Sequence, residues 1–228
     1  MPTLYIVATP IGNLEDITLR AIRTLKEVDL ILCEDTRISK RLLNRYEINN
    51  KQLTTYNEQK SGVNAEKVIS LLEEGKNIAL VTDAGTPGIS DPGARLVAEV
   101  RKELSNEVKI IPIPGPSAVV TALSASGVSS DEFLFLGFLP HKKGRETLFK
   151  EIAVMKRAVV FYESPHRIMK TLESLAKYTP ERKIVIAREL TKIHEEFPEG
   201  TPVELSEYFN KNKEKIRGEF VVIVSANK

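Results

Sequence analysis

The sequence predicts an α/β protein of two small domains, with a mostly parallel sheet. Three observations support this prediction. Short apolar runs alternate with segments of helical periodicity, and this order is typical of parallel strands that are connected by helices. The chain has 228 residues, which suits one large domain or two small ones. The pattern changes after Gly127, so we predict a first domain over residues 1–114 and a second over residues 115–228.

Strands and helices alternate regularly in the first half of the chain. The apolar runs that are short enough for buried strands are Leu4–Ala8, Leu30–Cys33, Ile78–Thr82 and Val108–Ile113. The segments with helical spacing are Leu14–Lys26, Ser39–Tyr46, Ala65–Glu74, Leu96–Leu104 and the stretch that ends at Ala125. Turns rich in glycine and proline follow the first, third and fourth strands. Because such sheets bind ligands beyond the carboxyl ends of their strands, these turns predict a ligand site.

The second half contains further strands and helices by the same criteria. The strands are predicted at Phe133–Phe138, Ala158–Tyr162, Lys183–Ala187 and Phe220–Val224. The helices are predicted at Glu146–Met155, Ile168–Tyr178 and Pro202–Asn210. A basic segment, Pro140–Arg145, follows the first of these strands.

Composition excludes several classes of protein. A single cysteine, Cys33, excludes an intramolecular disulfide framework and a zinc site with several cysteine ligands. The three histidines lie far apart in the sequence, so we predict no metal site. The formal net charge of +2 does not indicate a nucleic-acid binder, although it leaves room for a local basic patch. Signal-peptide features and apolar runs of about 18 residues are absent, so we expect a cytoplasmic protein with no membrane partner.

Three loops after predicted strands suit ligand binding. The first, Thr9–Asn13, suits a ligand at a helix N-terminus and equally suits a tight turn capped by Asn13. The second, Asp83–Gly93, has three glycines and two prolines, so its backbone is held in turns that a ligand can approach closely. The third, Pro112–Ala118, precedes small residues that permit close packing. The loops contain neither the dinucleotide fingerprint G-x-G-x-x-G nor a Walker A motif.

Polar residues also end two other strands. Glu34 and Asp35 are well placed for a substrate, and they could instead cap the next helix and pair with Arg37. Ser164–Pro165 and Asp91–Pro92 each suit the N-cap and first residue of a helix. The strand that ends at Tyr162 is also followed by polar residues. Of these, Glu163, His166 and Arg167 have no such structural explanation and are candidates for chemistry. A Gly-x-Ser-x-Gly elbow is absent, so hydrolase chemistry has no support.

Together these segments resemble the tetrapyrrole methylase superfamily. The motifs that carry the resemblance span nearly the whole chain: Thr9–Leu14, Cys33–Arg37, Asp83–Gly93, Pro114–Ala118, Tyr162–Arg167, Arg188–Lys192 and Gly218–Val221. They are most similar to the branch that methylates the ribose 2′-hydroxyl of a decoding-centre cytidine in bacterial 16S rRNA. Precorrin methylases have a glycine-rich first loop and a Gly-Asp-Pro motif, whereas this chain has Ala-Thr-Pro-Ile-Gly at 8–12 and Gly-Thr-Pro at 85–87. This departure argues against a tetrapyrrole substrate.

The resemblance implies two α/β domains of the tetrapyrrole methylase type, with a mostly parallel sheet in the N-terminal domain and a mixed sheet in the C-terminal domain. It further implies a homodimer and, as cofactor, S-adenosylmethionine folded in a cleft between the domains. By motif position, the cofactor contacts would fall on Pro10, Ile11, Gly85, Thr86, Ile89, Ser117, Ala118, Tyr162, Ala187 and Glu219. Contacts of the aspartate in Gly-Asp-Pro transfer to Thr86 only through its backbone.

The implied reaction requires a ribose hydroxyl to be aligned and deprotonated. Our candidates for the general base are Glu163 and His166, with Glu34 behind them, and the sequence does not choose among them. The candidates for contacts with RNA in the small ribosomal subunit are Arg37, Arg167, Lys192, Lys142, Lys143 and Arg145. The last three equally suit a solvated loop. The alternatives are a methylase of a small tetrapyrrole-like molecule and a non-catalytic RNA-associated protein on the same fold.

Overall fold

Two sheets, of five strands each, organise residues 1–56 and 63–227, the part of the chain that the computed structural model describes. They belong to two compact units, an N-terminal unit of Met1–Ser117 and a C-terminal unit of Ala118–Lys228. The unit boundary therefore follows Ser117, whereas the sequence placed it after residue 114. Residues 115–117 stay with the N-terminal unit because a Cβ on Gly115 would lie 3.0 Å from Ala8 Cβ and Pro116 O accepts a hydrogen bond from Thr86.

The N-terminal unit has a parallel sheet between two layers of helices. Its strands are β1 (Thr3–Val7), β2 (Leu30–Cys33), β3 (Gln52–Thr55), β4 (Ile78–Leu80) and β5 (Lys109–Ile113), in the order β3-β2-β4-β1-β5. All neighbouring pairs are parallel. Its helices are α1 (Leu19–Glu27), α2 (Thr36–Arg45), α3 (Ala65–Glu73) and α4 (Gly93–Leu104), and a short 3-10 helix spans Leu14–Asp16. Apolar residues of α3 and α4 cover one face of the sheet, and those of α1 and α2 cover the other.

The C-terminal unit has a mixed sheet. Its elements are α5 (Ala118–Ala125), β6 (Phe133–Phe138), α6 (Arg145–Val154), β7 (Ala158–Glu163), α7 (Ile168–Tyr178), β8 (Ile184–Arg188), β9 (Glu199–Gly200), α8 (Pro202–Lys211) and β10 (Phe220–Val224). The strand order is β6-β7-β10-β8-β9, in which only β6 and β7 are parallel. One face packs against α6, α7 and α8, and α5 packs against β10. The fold class predicted from the sequence is confirmed.

Some local features of the structure differ from the sequence predictions. β3 and β9 were not predicted, because β3 is an edge strand without a run of apolar residues and β9 has only two residues. Pro92, rather than Asp91, is the N-cap of α4. The prediction that Ser164 caps a helix is wrong, because α7 begins only at Ile168 and Ser164 O instead accepts from Arg167 N and Ile168 N, at 3.0 and 3.1 Å. In the described ranges, no helix has both the length and the apolar composition needed to cross a bilayer.

Candidate functional site

Three loops at the carboxyl ends of parallel strands meet around Gly85. Thr9 N donates to Gly85 O at 2.9 Å and Gly85 N donates to Thr9 O at 3.1 Å, so the loops after β1 and β4 are joined reciprocally. Thr86 Oγ1 donates to Pro116 O at 3.1 Å, which adds the loop after β5. A Cβ on Gly85 would lie 3.6 Å from Ile11 Cγ2 and 3.8 Å from Pro116 O. The three loops that the sequence analysis identified as suited to ligand binding thus meet within one unit.

The loop after β4 has a preset backbone. Gly85 and Gly88 both have φ of +88°, a conformation that side chains other than glycine rarely adopt. The Asp91 carboxylate accepts from Gly88 N at 2.8 Å and from Gly93 N at 2.7 Å. Asp91 therefore closes the loop onto the start of α4, in place of the capping role predicted for it. Such a loop presents its backbone groups with little ordering cost when a ligand binds.

A cavity of about 170 Å³ lies beside these loops. Pro10 and Ile11, two predicted cofactor contacts, line it together with Asp83 and with Ser39 and Arg41 of α2. Gly85 and Thr86 do not line this cavity. The predicted contact Ile89 is 49% exposed on the loop after β4, and Ser117 ends the unit.

The predicted contacts of the C-terminal unit lie mostly together. Val221 of β10 is paired with Tyr162 of β7 on one side and with Ala187 of β8 on the other, so the three form one row across the sheet. The Tyr162 ring packs 5.0 Å from the Phe135 ring, between centroids. Burial, reinforced by the negative charge of Glu219, raises the pKa of Tyr162 to about 12. Tyr162 is therefore a neutral hydroxyl at physiological pH.

Tyr162 also connects this row to the start of α5. It shares a hydrogen bond with the backbone of Val119, the neighbour of the predicted contact Ala118. Glu219 is exposed directly before β10. All four predicted contacts of this unit are thus on adjoining elements.

Carboxylates gather at the carboxyl ends of β2 and β4. Glu34 accepts a hydrogen bond from Thr82 Oγ1, and burial, together with the charges of Asp83 and Asp91, raises the pKa of Glu34. Asp83 accepts from Asp35 N at 3.0 Å, and burial raises its pKa as well. Sequence reasoning missed Asp83, although its position directly after a buried strand was a signal.

Asp35 and Arg37 form a local pair on this edge. Asp35 caps α2 by accepting from Arg37 N at 2.8 Å, and its hydrogen bonds with Arg37 lower the pKa of Asp35 to about 2. The Arg37 side chain is 88% exposed and its guanidinium is paired with this carboxylate. The capping and pairing alternative for Asp35 is confirmed.

Glu163, the last residue of β7, is a buried carboxylate with two arginine partners. Its Oε1 lies 3.0 Å from Arg167 Nε and accepts from Ser164 N at 2.9 Å. Its Oε2 accepts from Thr171 Oγ1 at 2.6 Å and lies 3.6 Å from Arg145 Nη2. The Glu163 side chain is 0% exposed, yet a general base must reach the proton that it removes. The structure therefore favours a structural role for Glu163 over the predicted role as base.

Comparison with known proteins identifies the family. The model of the tetrapyrrole (corrin/porphyrin) methylases matches residues 3–205. The chain belongs to the tetrapyrrole methylase family. Among its relatives are proteins named ribosomal RNA small subunit methyltransferase I from Thermotoga maritima and Halalkalibacterium halodurans. The first is 48% identical over 225 residues, covering 99% of both chains; the second is 49% identical over 226 residues, covering 99% of this chain and 76% of the relative.

A solved member of this fold carries a product of the cofactor. The structure of uroporphyrin-III C-methyltransferase from Thermus thermophilus, complexed with S-adenosyl homocysteine, has a TM-score of 0.62 and 18% identity, and covers 99% of this chain and 97% of that one. At this identity the likeness establishes the methylase fold. Within the described residues, no group of three or more His, Cys, Asp or Glu side chains could hold a metal ion.

The remaining predicted residues of this methylase differ in how exposed they are. Lys142 and Lys143 are exposed before α6, and His166 is exposed in the turn before α7. Lys192 Nζ lies 3.0 Å from Glu189 Oε1, so its charge is partly compensated. Arg145 and Arg167 have side chains only 15% exposed, which differs from the solvated loop considered for Arg145. Their guanidinium groups are directed to Glu163 in the interior.

The Asp83→Asn variant of this methylase is expected to gain stability over the wild type as the pH rises. Because burial raises the pKa of Asp83 above its ordinary value of 3.8, the folded protein holds this proton more tightly than the unfolded chain. The stability that protonated Asp83 contributes to the wild type is therefore lost as the pH rises through the pKa of Asp83 in the folded protein. The nearby charges of Asp35 and Arg37 are present in both the wild type and the variant. Thermal unfolding between pH ~3 and ~7 measures the difference. A difference from the wild type that does not grow with pH contradicts the prediction, and the exposed variant Asp131→Asn, measured in the same way, is the control.

Proposed function

We propose that this methylase transfers a methyl group from S-adenosylmethionine to the ribose 2′-hydroxyl of a decoding-centre cytidine in 16S rRNA. The observation that carries the proposal is the identity of 48–49% with proteins named ribosomal RNA small subunit methyltransferase I, over 99% of this chain. The replacement of Gly-Asp-Pro by Gly-Thr-Pro at 85–87 supports an RNA rather than a tetrapyrrole substrate.

The residues around Gly85 fit the cofactor. Hydrogen bonds join the loops after β1, β4 and β5, and the positive φ of Gly85 allows these loops to approach one another, so this part of the backbone is fixed before a ligand binds. Tyr162 keeps its proton, so its hydroxyl remains available for neutral hydrogen bonding beside α5. When bound, S-adenosylmethionine supplies the sulfonium methyl group. The proposed cleft between the domains stays a prediction.

The protein must supply alignment and a proton acceptor. Alignment of two reacting groups can contribute roughly 7–11 kcal/mol, and a general base adds on the order of 10²–10⁴ in rate. With Glu163 enclosed by arginines, His166 and Glu34 remain as candidates for the base. The pKa of Glu34 is raised, so this pKa lies closer to neutral pH and the Glu34 carboxylate is a stronger base than that of an ordinary glutamate. As part of the same proposal, the chain works as a homodimer in the cytoplasm, where its ribosomal substrate is located.

A methylation assay tests this function directly. Small ribosomal subunits from cells that lack the protein are incubated with it and with methyl-labelled S-adenosylmethionine, and the rRNA is digested to nucleosides. We expect the label in 2′-O-methylcytidine. A protein that binds S-adenosylmethionine by calorimetry and leaves the subunits unlabelled would contradict the RNA substrate and favour a small tetrapyrrole-like one. Absence of cofactor binding would favour a non-catalytic RNA-associated protein.

A further inference from the structure

We define the Glu163 cluster as Glu163, Arg145, Arg167 and Thr171, and the basic turn as residues 141–143. The two arginines of the cluster hold the chain directly before the basic turn. Arg167 Nη2 donates to Leu139 O at 2.6 Å, and Arg145 Nη1 donates to Pro140 O at 3.2 Å. Other nitrogen atoms of the same guanidinium groups face Glu163, from Arg167 Nε at 3.0 Å and Arg145 Nη2 at 3.6 Å. Two successive carbonyl groups are therefore fixed through one buried carboxylate.

The cluster itself is held from several sides. Thr171 Oγ1 accepts from Arg145 Nη2 at 2.7 Å and donates to Glu163 Oε2 at 2.6 Å. The Arg145 guanidinium also lies 5.1 Å from the centre of the Phe149 ring. Two arginines and one glutamate leave a net charge of +1 in a region where the side chains are at most 15% exposed. The cluster is thus rigid and positive.

The basic turn is exposed although its ends are fixed. His141, Lys142 and Lys143 are all exposed. The turn closes through Arg145 N, which donates to Lys142 O at 3.2 Å, and through Gly144 with φ of +82°. A fixed backbone lowers the entropy that two lysines lose when they bind a charged partner.

We propose that Glu163, Arg145 and Arg167 are positioning residues that hold the basic turn in place to bind the phosphate backbone of RNA. Lysine ammonium groups suit phosphate oxygens as point charges, and such contacts orient a protein on RNA without reading its sequence. His166 is exposed in the turn that precedes α7, next to Arg167, and extends the same surface. This inference rests on the proposed function, since it takes ribosomal RNA as the partner.

Arg167→Lys separates positioning from simple charge. Lysine keeps the positive charge, but a single ammonium group cannot reproduce the planar fork that joins Glu163 to Leu139 O. If Arg167 acts through the turn, this variant binds small ribosomal subunits about tenfold more weakly. If Arg167 contributes only charge, the variant binds like the wild type, and the inference is overturned.

The second test of the proposal concerns the two lysines of the basic turn. In Lys142→Ala/Lys143→Ala, the slope of log affinity against log salt should become shallower by about 1.4–1.8, or roughly 0.7–0.9 for each lost phosphate contact. Combining this change with Arg167→Lys should cost little more than the larger of the two separately, because both act on the same turn. Fully additive losses would overturn the inference. The control Lys211→Ala/Lys213→Ala removes two exposed charges at and beyond the end of α8 and should leave the slope unchanged.

Two further readouts separate the possible failures. Calorimetry with S-adenosylmethionine should give wild-type affinity for Arg167→Lys, and equal losses of cofactor and RNA binding would indicate a general folding role and overturn the inference. A wild-type protein that binds subunits as described but transfers no methyl group contradicts the proposed function alone. A wild-type protein that methylates subunits, while Arg167→Lys binds them normally, contradicts the positioning role alone.

Discussion

Glu163→Ala is expected to lower the free energy of unfolding by about 3–5 kcal/mol, because it leaves Arg145 and Arg167 without the carboxylate that compensates their buried charges. The variant also removes the acceptor of Ser164 N and Thr171 Oγ1, at 2.9 and 2.6 Å. Urea unfolding monitored by circular dichroism measures the loss. Glu163→Gln should lose less, because the amide oxygen still accepts one of these hydrogen bonds.

The matched control for Glu163 is Glu146→Ala. Glu146 is exposed and pairs with Lys177 at 3.3 Å, and exposed pairs of this kind contribute little to stability. We expect its unfolding curve to overlay that of the wild type. If Glu163→Ala unfolds at the same urea concentration as this control, the two arginines do not depend on Glu163. A stable Glu163→Ala protein that binds the cofactor and the small ribosomal subunit normally, but transfers no methyl group, would instead support Glu163 as a catalytic residue.

Gly85→Ala is expected to weaken the binding of S-adenosylmethionine by about tenfold or more, which corresponds to roughly 1.4 kcal/mol. A side chain at φ of +88° costs about 1–2 kcal/mol, and the loop can relieve this strain only by rotating the backbone that is bonded to Thr9. The new Cβ itself makes only ordinary contacts, the nearest at 3.6 Å to Ile11. Backbone strain at the junction of three loops is therefore the cause of the expected loss, which calorimetry measures.

Gly75→Ala is the control for this strain. Gly75 has the same φ of +88°, follows α3 and has nothing within 4 Å of the position of a Cβ. Both variants should lose similar stability, but Gly75→Ala should bind the cofactor normally. Equal cofactor affinity in the two variants would show that the loop after β4 is not part of the cofactor site.

The sequence predicts the elements whose apolar pattern is strong. β2, β6, α7 and β10 have the predicted bounds: β2 and β10 are runs of buried apolar residues, β6 is an apolar run that is partly exposed, and α7 has its buried residues at helical spacing. β3 has the residues Gln-Leu-Thr-Thr at an edge, and pairing with β2 alone makes it a strand. Its formation is a tertiary effect, which local periodicity does not record.

The candidate site was predictable in its loops but not in its ion pairs. The glycine and proline content of residues 83–93 indicates a preset backbone, and the structure supplies the bonds that close it. The partners of Glu163 come from α6, the turn before α7 and α7 itself. Residue spacing along the chain therefore does not indicate that Glu163 is buried. Charge pairing across elements decides whether such a carboxylate faces solvent, and a single sequence does not contain that information.

The strand order of the second sheet has a consequence for synthesis on the ribosome. β10 is the last of its strands to be translated, yet it lies between β7 and β8. Until residues 220–224 leave the exit tunnel, the nascent chain carries two apolar strands with unpaired edges, and such edges are prone to aggregation. The first sheet has all its strands by residue 113 and can close while translation continues. Chaperones that bind nascent chains would thus be needed chiefly for the second half of this protein.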